Sequence, residues 1–114
     1  MTFHKDLPYL KHILDSINDI EESTQGITKK EFNEIKDKKD ANIKRIEIIG
    51  EAVKNLSSSF RNRHPNIPWK DIAGMRDKLT HHYFGINLNN VWKVIREDIP
   101  SLKRDILKIL EKEK

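Results

Sequence analysis

The sequence predicts an all-α protein, an up-and-down bundle of four to five helices formed by a single domain over residues 1–114. Apolar residues recur at three- and four-residue steps through nearly the whole chain, no stretch alternates as a half-buried strand would, and the breaks carry proline, glycine or capping residues. With 36% hydrophobic and 35% charged residues, the apolar side chains make a core only if they are gathered into tight stripes. A second subunit would cover what one thin core leaves over.

Leu7, Leu10, Leu14 and Ile17, with Ile13 and Ile20 beside them, mark a first helix from about Asp6 to Glu22, and Pro8 is acceptable in a first turn. Ser23 to Ile27 supplies a stop. Thr28 and Glu31 are spaced as a capping box for a short second helix that buries Phe32 and Ile35. Ile43, Ile46, Ile49, Val53, Leu56 and Phe60 then line one face of a third helix from about Asp40 to Arg61. Gly50 sits inside that stripe, where a glycine costs about 1 kcal/mol relative to alanine unless a close helix approach repays it. Pro68 is placed to open a fourth helix, with Trp69, Ile72, Met75 and Leu79 on its apolar side and Gly85 at its end. A fifth runs from Leu88 through Ile99 to Leu110, and Pro100 must kink or restart it.

Composition narrows the function. Without cysteine there is neither a disulfide framework nor a thiolate metal site, which suits a reducing cytoplasm. No apolar run is long enough to span a membrane and the start lacks the apolar core of a signal peptide, so a cytoplasmic protein with no membrane partner is expected. The net charge of +4 permits an anionic partner such as RNA, although the charges are interspersed.

Residues 74–86, GMRDKLTHHYFGI, depart from this generic pattern by collecting Arg76, His81, His82 and Tyr83 before a glycine. Cations at a helix C-terminus complement the macrodipole, which is the simplest account of such a cluster. At about 100° per residue Arg76 and Tyr83 lie nearly above one another, whereas His81 is about 140° away from Arg76. One straight helix does not focus all three, so the last turn must loosen, Arg76 must reach round, or a second subunit must contribute. The adjacent histidines lack the spacing that puts two metal ligands on one face, His64 is the only distant helper, and no metal or other cofactor is expected. No serine or cysteine sits in a nucleophile elbow. Acid–base chemistry is left open: histidine exchanges a proton near neutrality, and a guanidinium holds a phosphate through paired hydrogen bonds.

Arg76, four residues, His81, one residue, Tyr83 resembles the Arg-x4-His-x-Tyr motif of the HepT-like toxins, a branch of the HEPN superfamily. The similarity runs in order through Ile46 to Ala52, His64 to Trp69, Gly74 to Arg76, Tyr83 to Gly85, Val91 and Trp92, and Asp98 to Pro100. It implies a HEPN-like bundle that forms a two-fold homodimer, with Arg76 and His81 of both subunits lining a shared cleft. It also implies the toxin of a toxin–antitoxin pair acting as a metal-independent ribonuclease on RNA. The implied partner is a cognate MNT-type nucleotidyltransferase antitoxin that attaches AMP to Tyr83. His82 fills a variable motif position, and because a one-residue longer spacing occurs in the wider superfamily it is a supporting candidate.

In the chemistry so implied, His81 serves as general base or acid while the RNA 2′-hydroxyl attacks the adjacent phosphate, and Arg76 neutralises charge on the phosphate oxygens. The alternative is a non-catalytic dimeric module that binds a nucleotide or a nucleotidyltransferase through the same cationic cleft. Glu51 is a further candidate, able to orient Arg76 or His81 if the third helix lines the cleft; its simpler role is a surface pair with Lys54.

Overall fold

The computed structural model describes residues 2–79 and 87–112, and every regular element among them is helical. Helix α1 (Thr2–Thr24) packs along α3 (Lys36–Lys54), the most extensive helix pairing in the molecule. Leu10, Ile13, Ile17 and Ile20 of α1 and Ile46, Ile49 and Val53 of α3 are fully buried, so both stripes read from the sequence face the core. α1 starts earlier than expected, which places Pro8 inside the helix rather than in its first turn.

Gly26, with φ 75°, ends the turn after α1, a left-handed conformation that glycine adopts without a Cβ clash. α2 (Lys29–Glu34) then opens on the expected capping box: Glu31 N–H donates to the Thr28 hydroxyl and Thr28 N–H to the Glu31 carboxylate, both at 3.1 Å. Phe32 is buried, but Ile35 is 40% exposed because it is the extended residue between α2 and α3.

The expected third helix divides. α3 stops at Lys54, and α4 (Ser58–Arg63) starts after Ser57, whose extended backbone and hydroxyl cap the N–H of Phe60. Asp6, completely buried on α1, fixes that break by accepting from the Ser57 N–H at 2.6 Å and from its hydroxyl at 2.7 Å. A partner 51 residues away made the interruption invisible to local periodicity.

Pro68 is the N-cap of α5 (Trp69–Ala73), Gly74 separates this from α6 (Met75–Lys78), and Trp69, Ile72, Met75 and Leu79 are buried as expected. Gly50 explains itself here: a Cβ on it would lie 3.1 Å from the carbonyl oxygen of Ala73, so the missing side chain lets α3 meet the end of α5. The expected stop at Gly85 lies outside the described residues.

α7 (Leu88–Lys93) continues through a π-helical turn, Val94–Asp98, into α8 (Ile99–Lys112). Pro100 neither ends nor restarts the helix. The π turn accommodates it, as Ile99 N–H reaches back to the Val94 carbonyl just before the residue that lacks a donor. Arg96 ties this rod to the α1–α2 turn, its guanidinium 4.4 Å over the Trp92 ring and donating to the Ile27 carbonyl at 2.9 Å.

Candidate functional site

The close approach at Gly50 brings α3 and α6 to opposite sides of an open groove of about 470 Å³. Lys44, Glu47, Glu51 and Lys54 line it from α3, and Lys70, Arg76 and Asp77 from α5 and α6. Arg76 stands beside this groove, its side chain 72% exposed. Its Nε lies 3.1 Å from the Glu47 carboxylate, whose side chain is only 28% exposed. A guanidinium is planar and rigid, so holding it at Nε turns the fork of its two terminal nitrogens away from Glu47, the edge that grips a phosphate bidentately.

Glu47 is the residue that sequence reasoning did not single out. A signal was present, since Glu47 is four positions before Glu51 and shares its helix face on either side of Gly50. Glu51 itself takes the surface role, its carboxylate 3.3 Å from Lys54 Nζ with the two side chains 70% and 57% exposed. It still lines the Arg76 groove. His81, His82 and Tyr83 lie outside the described residues, so of the motif the structure places Arg76 alone.

His64 is the C-cap of α4, its ring 4.9 Å from that of Phe60. Among the described residues no group of three or more His, Asp or Glu side chains is arranged to hold a metal ion, and no helix is long and apolar enough to cross a membrane.

Among the described residues, fold and groove define an all-helical chain in which a carboxylate holds an exposed arginine at the edge of an open groove. The family model described as "Ribonuclease HepT-like" matches residues 13–109. A "Probable ribonuclease HepT" of Thermococcus cleftensis is 49% identical over 100 residues, covering 88% of this chain and 89% of that protein. A "Putative RNase" of Caldanaerobacter subterraneus subsp. tengcongensis is 47% identical over 107 residues, covering 94% and 96%. A "Gamma-glutamylcyclotransferase and putative RNase" of Methanocaldococcus jannaschii is 53% identical over 103 residues, but the chain spans only 46% of its length. The chain belongs to the ribonuclease HepT-like family. No solved structure gives a significant match.

Proposed function

We propose that the protein is a metal-independent RNA endonuclease, the toxin of a toxin–antitoxin pair, working as a homodimer in the cytoplasm. The observation that carries this reading is Arg76, the first residue of the family motif, held by Glu47 at the edge of an open groove in a chain of a ribonuclease family. The 2′-oxygen of a ribose attacks the adjacent phosphorus, the bond from phosphorus to the 5′-oxygen breaks, and a 2′,3′-cyclic phosphate is left. A His81 imidazole takes the 2′-hydroxyl proton or protonates the departing 5′-oxygen, and the Arg76 fork stabilises the charge on the phosphate oxygens. A two-fold dimer supplies two copies of each group to one cleft, which answers the angular separation of Arg76 and His81 on a single helix.

Restraint comes from the nucleotidyltransferase antitoxin. AMP groups on Tyr83 bring phosphates that pair with Arg76 and occupy the place of the substrate phosphate. Purified protein should cut RNA in the presence of a chelator but leave DNA and 2′-O-methyl RNA intact, and His81→Ala should abolish the cut. A His81→Ala protein that cleaves at the wild-type rate rejects the assignment, and one that only binds nucleotide less tightly favours the non-catalytic module. Co-expression with the antitoxin should add mass in AMP steps to wild-type protein but not to Tyr83→Phe; equal modification of both moves the acceptor elsewhere.

A further inference from the structure

A second hollow, of about 460 Å³, lies between α4 and α5 on the other side of Lys70. Its charged lining residues are Arg61 and Lys70, accompanied by neutral Ser58, Asn62, Pro65, Ile67, Pro68 and Trp69. Among the described residues no carboxylate lines it, unlike the Arg76 groove with Glu47, Glu51 and Asp77. Arg61 is half-buried, and its Nε is buried with no hydrogen-bond partner among the described residues. Because that Nε is closed to solvent, an outer ligand meets only the rest of the guanidinium, whose terminal nitrogens carry the fork that grips a phosphate. The wall opposite is fixed, because the Trp69 indole N–H donates to the His64 carbonyl at 3.0 Å and its ring packs 5.9 Å from that of Phe60. Lys70 is exposed and lines both this hollow and the Arg76 groove, so the two cationic sites adjoin.

We propose that Arg61 and Lys70 form a second phosphate subsite, which holds a flanking phosphodiester of the RNA strand whose reacting phosphate lies at Arg76. The inference rests on the ribonuclease reading for its ligand, and it assigns to α4 and α5 a binding task outside the motif. Arg61 supplies a partly desolvated donor and Lys70 a mobile point charge that reaches either site. Contacts of this kind read the backbone and not the base, so they raise affinity without choosing a sequence.

The test measures binding of a fluorescent single-stranded 2′-O-methyl RNA, which the proposed chemistry does not cut, across a series of salt concentrations. Lys70→Ala and Arg61→Ala should each weaken binding about five- to tenfold, and each should flatten the log–log salt slope by about 0.7, as expected for one lost phosphate contact on a single strand. Lys70 also lines the Arg76 groove, so Arg61→Ala reads the second hollow by itself, and Arg61→Lys, which keeps the charge and should recover most of the slope, separates a lost phosphate contact from a disturbed α4. Unchanged affinity and slope in Arg61→Ala overturn the proposal. So does a hollow that takes up inorganic phosphate while strand affinity is indifferent to both substitutions. Wild-type protein that binds the strand with these losses but never cuts unmodified RNA overturns the ribonuclease reading and leaves the subsite standing.

Discussion

Asp6 and Glu47 are carboxylates that reach across helix boundaries, and they do opposite things. Asp6 is completely buried and accepts two hydrogen bonds from Ser57, whereas Glu47 faces the Arg76 groove and holds a guanidinium that is 72% exposed. The chemistry is alike, a carboxylate receiving N–H or O–H donors, but the surroundings differ. In the interior every such bond contributes to stability because its loss strands a desolvated group; at the groove the pair is screened by water and contributes little to the fold. The buried carboxylate fixes a helix break, and the open one holds a cation at the edge of a groove.

Substitution at each region should separate these roles. Arg76→Ala should lower the RNA cleavage rate a hundred- to thousandfold, about 3–4 kcal/mol in the barrier, while changing unfolding free energy by under about 1 kcal/mol. Asp6→Ala should do the reverse: about 3 kcal/mol of stability lost in urea titration and a melting temperature lower by about 10 °C, with the folded fraction still cleaving normally. A Gly50→Val chain couples the regions, because a branched side chain has no room against the Ala73 carbonyl. It should lose about 2 kcal/mol of stability and also slow cleavage by moving Glu47 from Arg76. Glu47→Ala should slow cleavage about tenfold through a misaimed guanidinium, with Glu47→Gln recovering most of the rate since its amide oxygen still accepts from Nε. Glu51→Gln, which loosens only an exposed pair with Lys54, should shift stability by under about 0.5 kcal/mol and cleavage by less than twofold.

The parts of this picture legible in the sequence were those governed by nearby residues. The stripes of α1 and α3, the Thr28–Glu31 box, Pro68 at a helix start and the close approach at Gly50 each follow from spacing or from one residue's stereochemistry. What stayed hidden depends on partners distant in the chain. Periodicity ran through Asn55 to Ser57 because Leu56 and Phe60 keep facing the core, and only Asp6 shows why the helix breaks there. Ile35 looked like core because an apolar side chain was assumed to continue a helix that in fact ends beside it. At the site, the motif points to Arg76, and Glu51 reads either as an orienting group for Arg76 or His81 or as a surface partner of Lys54; the structure shows the Lys54 pair, and the packing of α6 on α3 sets Glu47, one turn earlier on the same face, against Arg76.

The measurement that bears most directly on the Arg76 groove is the RNA cleavage rate constant, taken under single-turnover conditions for the wild type, Arg76→Ala, Glu47→Ala and the double variant. A groove that works through an arginine positioned by Glu47 predicts a large loss for Arg76→Ala, a smaller one for Glu47→Ala, and a double variant no slower than Arg76→Ala alone. Wild-type protein that leaves RNA intact, an Arg76→Ala variant that cuts as fast as wild type, or losses that multiply in the double variant would contradict it.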